Sequence, residues 1–283
     1  LHVHFEKQAG EGKMSHTEKK VIVFIVEGPS DEAALGTIMK RYFSNDYVHS
    51  LVVHGDITSG YHVEVNNIVK KINDLILDVK DKYRFRNNDF LRIIHLTDTD
   101  GVFIPDDRVK HKQSRSGSNI LYFEDHMNAF NVEKTIERNH KKAQILSKLK
   151  QTKCIGKIPY RIYYNSCNLE HVLYNTLRDV SDEKKEEMSD DFAEKYEDNM
   201  DDFLSFISDP SFAVPGSYSE TWKYIEKNLN SLNRHTNINQ IFDIAQSPDP
   251  FFSDSNMDYV KKSVQELHDG KGTSHELIEV DDE

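Results

Sequence analysis

The segment Val21-Ile-Val-Phe-Ile-Val-Glu-Gly-Pro-Ser-Asp-Glu32 sets the expected fold. Its first six residues are apolar, which is the length and composition of a strand buried on both faces. Gly28 and Pro29 indicate a turn, and Ser30 with the acids after it suits the first turn of a helix, where the dipole favours negative charge. The segment therefore predicts a buried strand that ends at Glu27 and leads directly into a helix.

Three further apolar strands follow, and amphipathic helices separate them. Strands that alternate with helices form parallel sheets covered by helices on both faces. The expected fold is therefore α/β, with a Rossmann-like parallel sheet of four strands flanked by helices and a mainly helical C-terminal extension. The other strands are expected at 48–53, 91–96 and 160–164, and the helices at 30–43, 62–83, 132–150, 169–177, 182–207 and 219–232.

Changes in composition along the chain indicate its domain organisation. Residues 1–14 show no clear pattern and are expected to be a leader or a disordered arm. The α/β domain is expected at 15–180, with a basic insertion at about 101–158. A helical extension is expected at 181–252, and the acidic segment 253–283 is typical of a flexible tail.

Charge is distributed unevenly along the 283 residues, although the net charge is −12. Residues 179–202 hold 12 acidic and three basic side chains, whereas residues 138–161 hold eight basic side chains and no acid. Such a basic stretch is either a solvated helix face or part of a phosphate-binding surface. Nucleic acid therefore stays open as a partner, and we expect the basic residues near a phosphate site and the acidic helix on a distant face.

Composition also bears on the compartment. No run of about 18 apolar residues occurs, so the sequence offers no membrane span. Cys154 and Cys167 have neither metal nor disulfide spacing, which fits a reducing compartment. We expect a cytoplasmic protein without a membrane partner. The sequence leaves open whether the protein forms a homo-oligomer.

Four acidic residues lie around the carboxyl ends of the first and third predicted strands. Glu27 ends the first strand, Asp31 follows in the next helical turn, and Asp98 and Asp100 follow the third strand. Parallel α/β sheets bind their ligands beyond this edge. Close carboxylates repel one another unless a cation lies between them, and their oxygens favour Mg²⁺ or Mn²⁺ over zinc. The pattern predicts a divalent-metal site that clamps a phosphodiester and activates water.

Ordinary structural roles are an alternative explanation for the same acids. Asp31 and Glu32 suit any helix start, and Asp98 and Asp100 suit a turn beside Gly101. The acid that ends the first strand is harder to explain as structural. A charge directly after six apolar residues is costly unless it has a partner.

These segments resemble the motifs of Toprim domains. The segment quoted first is similar to their first motif, and Leu96-Thr-Asp-Thr-Asp-Gly101 is similar to their Asp-x-Asp motif. The spacing most resembles nucleases of the overcoming-lysogenization-defect (OLD) type and small Toprim proteins of phage-defence and abortive-infection systems. The resemblance covers about residues 20–177. It implies an antiviral nuclease acting on DNA or RNA, with one or two Mg²⁺ ions held by Glu27, Asp31, Asp98 and Asp100.

The chain also departs from that pattern. OLD proteins carry an ATPase, but this sequence has no Gly-x-x-x-x-Gly-Lys-Ser/Thr loop, which leaves an ATPase partner in trans open. OLD-type sites use a downstream lysine near the phosphate, and the candidates here are Lys223, Lys227 and Arg234. The segment that holds Glu170 and His171 resembles the small defence proteins. Either residue is a candidate ligand or general base, or else a helix-start acid and a surface histidine.

The loop after the second strand is expected to face the same edge. It contains Asp56, Thr58 and Ser59. Asp56 is either a turn residue or a support behind the metal ligands.

Two other classes of function are open. The segment around Asp98 also resembles the first motif of haloacid-dehalogenase-type phosphatases, in which Asp98 would be a phosphorylated nucleophile. That motif normally opens its domain, and this reading leaves Glu27 unexplained. The other alternative is a Toprim fold used for binding or regulation without catalysis.

Overall fold

The computed structural model of the protein describes residues 20–44, 48–54, 57–60, 62–113, 120–177 and 180–243. The expected leader at 1–14 and the expected tail at 253–283 lie outside these ranges, as does Asp56.

The described residues form a central sheet, a smaller sheet and several helices. The strands are β1 (Lys20–Val26), β2 (Val48–His54), β3 (Phe90–Asp98), β4 (Val109–His111), β5 (Ile120–Tyr122), β6 (Met127–Ala129), β7 (Cys154–Ile155) and β8 (Ile158–Asn165). The helices are α1 (Pro29–Phe43), α2 (Ile68–Tyr83), α3 (Val132–Gln151), α4 (Leu169–Tyr174), α5 (Asp182–Tyr196), α6 (Met200–Ile207), α7 (Tyr218–Ile225) and α8 (Asn239–Asp243). Within the described ranges, no helix combines the length and apolarity needed to cross a membrane.

The central sheet has the strand order β2-β1-β3-β8-β7. The first four of these strands are parallel to their neighbours, as the sequence predicts. β7 is an addition, because it pairs antiparallel with β8 through a short hairpin. A strand of two residues is too short to leave a pattern in the sequence. The sheet is therefore mostly parallel, with one antiparallel edge strand.

Helices cover both faces of this sheet. Val21, Val23 and Ile25 of β1 are buried in a cluster with the apolar residues of α2, α3 and α7. The intervening residue Phe24 is buried on the opposite face and contacts Phe43 of α1, with 5.3 Å between ring centroids. The alternation of side chains along a strand thus divides β1 between two helical layers. The predicted α/β class with a Rossmann-like sheet is confirmed.

The connection between β3 and β8 contains more structure than the sequence predicts. The helix expected at 132–150 is present as α3. The preceding part of the expected basic insertion, for which no strand is predicted, forms a three-stranded sheet in the order β4-β6-β5. Its strands have three residues each, which is too few for alternation to be recognised in the sequence.

The region after β8 is helical, but its helices are shorter than expected. The single acidic helix predicted at 182–207 is wrong, because α5 ends at Tyr196 and α6 begins at Met200. Asn199 separates the two helices, since its side chain accepts a hydrogen bond from the Asp202 amide and caps α6. The helix predicted at 219–232 ends at Ile225. The elements from β1 to α7 belong to one compact unit that ends at Asn239, and a second unit begins at Gln240.

Candidate functional site

Glu27 connects the ends of neighbouring strands. Its Oε1 accepts hydrogen bonds from Thr97 Oγ1 at 2.6 Å, the Asp98 amide at 3.1 Å and Thr58 Oγ1 at 3.1 Å. These donors come from β3 and from the turn after β2. One carboxylate oxygen therefore holds three segments together at the carboxyl edge of the sheet. Thr58 faces this edge as expected, whereas the neighbouring Ser59 is exposed.

Asp31 stabilises the turn between β1 and α1. Its Oδ2 accepts hydrogen bonds from the backbone amides of Glu27 and Gly28, both at 3.0 Å. Asp31 therefore has the structural role at the helix start that the sequence allows. The same hydrogen bonds place its carboxyl group beside the other acids. Burial, together with the charges of Glu27 and Glu170, raises the pKa of Asp31 to about 7, although the two backbone hydrogen bonds act in the opposite direction.

Asp98 lies at the end of β3, between β1 and β8. Its Oδ1 accepts a hydrogen bond from Asn165 Nδ2 at 3.2 Å, and the two residues are register partners. Burial raises the pKa of Asp98 well above its ordinary value, and the neighbouring charges of Glu27 and Asp31 add to this effect. Asp98 is therefore the centre of a group of mutually repelling carboxylates.

Asp100 and Gly101 form the turn after β3. Both have left-handed backbone conformations, with φ of 50° and 64°. A Cβ on Gly101 would lie 2.6 Å from Leu232 Cδ2, so the turn has no room for a larger residue. The Asp100 amide donates to the Cys167 carbonyl, and Arg138 donates to the Asp100 carbonyl. The turn-forming role of this segment is therefore real, and it fixes the position of the Asp100 carboxylate.

Glu27, Asp31, Asp98 and Asp100 thus meet at one end of the sheet, which we call the acidic edge. The hydrogen bonds above link Glu27 directly to Asp31 and to Asp98. Asp100 is linked to Glu27 through a lysine from α3. The structure therefore places these four residues at the same edge of the sheet.

That lysine is Lys142. Its side chain is 2% exposed, and its Nζ lies 2.7 Å from Asp100 Oδ2 and 3.6 Å from Glu27 Oε1. Burial alone would lower the pKa of Lys142, but the charges of Asp100 and Glu27 outweigh it and raise the pKa above its ordinary value. Lys142 is therefore a fixed cation within the acidic edge.

The three cations proposed from the sequence occupy other positions. Lys223 and Lys227 are exposed. Arg234 donates two hydrogen bonds to the Val172 carbonyl and lies over the Phe212 ring, so its role is structural.

The pattern of α3 contains a signal that identifies Lys142. The buried apolar residues Ile145, Leu146 and Leu149 define the face that packs on the sheet. Continued backwards at helical spacing, the same face passes through Lys142 and Asn139, which are both buried. A lysine on the buried face of an amphipathic helix requires a charged partner, because an isolated buried ammonium is too costly.

Glu170 and His171 have different surroundings although they are adjacent on α4. Glu170 is buried, its Oε1 lies 3.3 Å from Lys185 Nζ, and its charge acts on the pKa values of Asp31 and Asp98. Glu170 therefore adjoins the acidic edge.

His171 is buried, so the expectation of a surface histidine is wrong. Burial lowers its pKa to about 4, and the positive charges of Arg234 and His235 contribute. Its Nδ1 has no hydrogen-bond partner among the described residues. At neutral pH His171 is therefore uncharged and lies beside a basic group.

The basic stretch reaches the acidic edge at two points. Arg138 and Lys142, one turn apart on α3, contact Asp100. Other members of the stretch have structural partners elsewhere, such as Lys141 with Glu64. The basic stretch therefore borders the edge through its first helical turns.

The expectation of a distant acidic helix is wrong. α5 packs against α1, whose first turn carries Asp31, and Lys185 of α5 contacts Glu170. Sequence reasoning gives the charge of this helix but not its long-range contacts, so its neighbour could not be foreseen.

The residues of the acidic edge suit a hard cation in their chemistry. Asp31 and Asp98 each use one oxygen in the hydrogen bonds described, and their raised pKa values show that negative charge is poorly compensated there. Thr99, between the two aspartates of the turn, has a buried hydroxyl without a hydrogen-bond partner among the described residues.

Across the described residues, no three His, Cys, Asp or Glu side chains stand in an arrangement that could hold a metal ion by themselves. Mg²⁺ commonly binds through one or two carboxylates, with water and substrate phosphate completing the shell. The acidic edge fits this second kind of site.

Comparisons of the chain with protein-family models, with curated proteins and with solved structures each find no match. The chemistry of the site is therefore inferred from its own residues.

Proposed function

We propose that this protein is a divalent-metal-dependent nuclease that hydrolyses phosphodiesters at the acidic edge. The observation that carries the proposal is that Glu27, Asp31, Asp98 and Asp100 lie together at the carboxyl end of a parallel sheet, with a buried lysine between Glu27 and Asp100. This is the edge at which α/β sheets bind ligands.

The energetic cost of the acidic edge supports a functional role. Asp31 and Asp98 have pKa values raised by burial and by neighbouring acids, so their charged forms destabilise the fold. Perturbed carboxylates that share a site with several charge partners are typical of catalytic centres. A divalent cation relieves this repulsion, and the proposed cofactor is Mg²⁺ or Mn²⁺.

The residues of the edge have separable roles in the proposed reaction. Asp31 and Asp98 would hold the cation, which supplies Lewis-acid activation of water and of the phosphate. Glu27 orients Asp98 through its amide, and it is a further ligand or the acceptor of a proton from the attacking water. Lys142 supplies fixed positive charge, and Glu170 adjoins the site from α4.

A nucleic acid is the proposed substrate because positive charge adjoins the acids. Arg138 and Lys142 reach Asp100 from a stretch of the chain that holds eight basic residues and no acid. Phosphate binding by several basic side chains releases counterions, so the affinity would fall steeply with salt. In the setting that the Toprim resemblance implies, this nuclease would act in abortive infection, with an ATPase partner in trans if one is needed.

A cleavage assay tests the proposal directly. The full chain is incubated with single- and double-stranded DNA and RNA, with Mg²⁺, with Mn²⁺ or with EDTA. We expect cleavage that requires the metal and that is lost in Asp98→Ala. The matched control is Asp107→Ala, an exposed acid outside the acidic edge, which should cleave as the wild type does.

Metal binding separates the proposal from a purely regulatory role. Loss of Mn²⁺ binding in Asp98→Ala together with loss of cleavage supports a nuclease. Mn²⁺ binding at the acidic edge without cleavage of any substrate would instead support the non-catalytic alternative. Absence of Mn²⁺ binding in the wild type would remove the basis of the proposal.

A further inference from the structure

We propose that the ammonium group of Lys142 takes the place of one of two cations, so that the acidic edge binds a single divalent ion on its Asp31–Asp98 side. This inference rests on the proposed function, because it concerns the number and position of the ions. It assigns Asp100 to the lysine rather than to the metal.

The geometry divides the acidic edge into two halves. In one half, Lys142 Nζ lies 2.7 Å from Asp100 and 3.6 Å from Glu27, and so stands between two carboxylates as a bridging ion would. In the other half, Asp31 and Asp98 accept hydrogen bonds only from neutral donors in the bonds described, namely backbone amides and Asn165. Among the described residues, the first half contains a lysine within ion-pair distance of its acids, whereas no lysine or arginine lies that close to the acids of the second half.

The charges lead to the same division. Glu27 has the lysine and three hydrogen-bond donors, and Asp100 has the lysine at a short distance. Asp31 and Asp98 add two further carboxylates, which backbone hydrogen bonds hold beside Glu27. One divalent ion matches two carboxylates. A second ion beside Lys142 would add positive charge where the acids are already compensated.

The fold holds Lys142 in this position. Its helix is anchored on the sheet by Ile145, Leu146 and Leu149, which are fully or almost fully buried. Arg138, one turn earlier on α3, bonds the carbonyl of Asp100, so the helix and the turn are fixed to each other. A buried lysine with 2% exposure cannot move into solvent to admit an ion without a change in packing.

An ordinary structural ion pair is the competing explanation. In that case Lys142 stabilises the turn, and a metal ion displaces it or binds without regard to it. The two explanations differ in the number of ions bound and in the effect of removing Asp100, and neither difference depends on turnover.

The test is a titration of the metal-free full chain with Mn²⁺, in which free Mn²⁺ is followed by electron paramagnetic resonance. Frozen samples show whether bound ions are magnetically coupled, as two ions that share a carboxylate would be. The variants are Lys142→Met, which keeps a long apolar stem, Asp100→Asn and Asp98→Asn. Lys141→Met is the matched control, because Lys141 is the neighbouring lysine of α3 and pairs with the exposed Glu64.

We expect one Mn²⁺ in the wild type and in Lys141→Met, and two coupled ions in Lys142→Met. Asp100→Asn should keep the single ion with less than about a threefold change in affinity, whereas Asp98→Asn should lose at least about tenfold, the range for disturbed metal ligation. Because Asp100→Asn retains Lys142, it decides the question even if Lys142→Met fails to fold.

Three results would overturn the inference. Two ions in the wild type would show that the lysine does not take the place of a metal. A single ion in a folded Lys142→Met would also overturn the inference. So would an Asp100→Asn variant that loses Mn²⁺ affinity as strongly as Asp98→Asn does. Neither of these results would contradict the proposed nuclease. No ion in the wild type would remove the proposed function and the inference together.

Discussion

The interior of the central sheet and its acidic edge are built on opposite principles, although they are consecutive in sequence. Residues Val21 to Val26 are apolar and at most 3% exposed. The next residue, Glu27, is an acid whose carboxylate receives three hydrogen bonds and faces a lysine. The interior stabilises the fold by burying apolar area, whereas the edge keeps charges that repel one another. The change from apolar to charged side chains therefore occurs between two adjacent residues, Val26 and Glu27.

This difference separates stability from function along the chain. Substitutions in the interior should lower stability and leave the chemistry of the folded protein unchanged. Neutralising the mutually repelling acids of the edge, as in Asp98→Asn, should abolish chemistry and leave the stability of the metal-free protein unchanged or higher. Such a trade-off is typical of functional sites.

The largest expected effect is in the interior. Phe24→Ala removes a fully buried ring that contacts Phe43, and it should lower the free energy of unfolding by about 3–4 kcal/mol, the range for large-to-small changes in a core. Urea denaturation of the metal-free protein measures this. The control is Leu77→Ala on α2, which is 43% exposed and should change stability by less than about 0.5 kcal/mol.

The contrast also predicts what Phe24→Ala does not change. At temperatures at which the variant is folded, its Mn²⁺ affinity should equal that of the wild type. A loss of affinity in the folded variant would mean that interior and edge are not separable, and would contradict the comparison.

The second expected effect is on activity. Glu27→Gln keeps the size and an acceptor oxygen for the three donors, but it removes the charge beside Lys142. Cleavage of phosphodiesters should fall by at least about 100-fold, as expected for loss of an acid/base group. Single-turnover kinetics measure this, with Glu187→Gln on the exposed face of α5 as the control.

The same variant separates the nuclease from a phosphatase with Asp98 as nucleophile. In that alternative Glu27 takes no part in the chemistry, so hydrolysis of phosphomonoesters would continue and an aspartyl phosphate on Asp98 could be trapped. Either observation would contradict the proposed function.

The sequence predicts the parallel sheet and the acidic edge well, because both depend on local patterns. Six apolar residues before Glu27 indicate a buried strand, and the ends of parallel strands meet at one edge, so Glu27 and Asp98 could be placed together without a structure. The family resemblance then suggested the same four acids. Neither source of information depends on contacts between distant residues.

The parts that could not be predicted depend on long-range packing. Lys142 lies more than forty residues from Asp98. The buried face of α3 distinguishes it from the other basic residues of the stretch, but the sequence does not show which acids it contacts. The break at Asn199 and the contact of Lys185 with Glu170 likewise depend on how α5 packs against α1. Strands of two or three residues, such as β7, carry too little pattern to be recognised.

A third effect is expected on the pH dependence of stability. The pKa of Asp31 is raised to about 7 and that of Asp98 well above its ordinary value, so the folded state holds these protons more tightly than the unfolded state. The stabilisation is fully present below about pH 4 and is lost as the pH rises towards about 7. Without metal, the protein should therefore be less stable at pH 8 than at pH 5.

Asp98→Asn tests this sign, because it is neutral at every pH. Asp98 lies among other acids and is only partly exposed, so we expect the metal-free variant to be more stable than the wild type at pH 8, by a margin that is smaller at pH 5. Thermal unfolding at both pH values measures the difference. Added Mn²⁺ should raise the stability of the wild type more than that of the variant. A variant that is less stable than the metal-free wild type at pH 8 would show that the acidic edge stabilises the fold.

The smallest expected effect concerns the boundary of the acidic edge at α5. Lys185 is one-third exposed, and its Nζ lies 3.3 Å from Glu170 Oε1, so this ion pair is partly screened by water. Lys185→Met should change the free energy of unfolding by less than about 1 kcal/mol, as is usual for such pairs. It should also strengthen Mn²⁺ binding by about two- to fivefold, because it removes a positive charge from a carboxylate that acts on Asp31 and Asp98. Lys184→Met, which removes the neighbouring exposed lysine paired with Glu187, should leave the affinity unchanged. If Lys185→Met binds Mn²⁺ with the same affinity as the wild type, the metal site includes only the four acids and Lys142. Glu170 would then have a structural role alone.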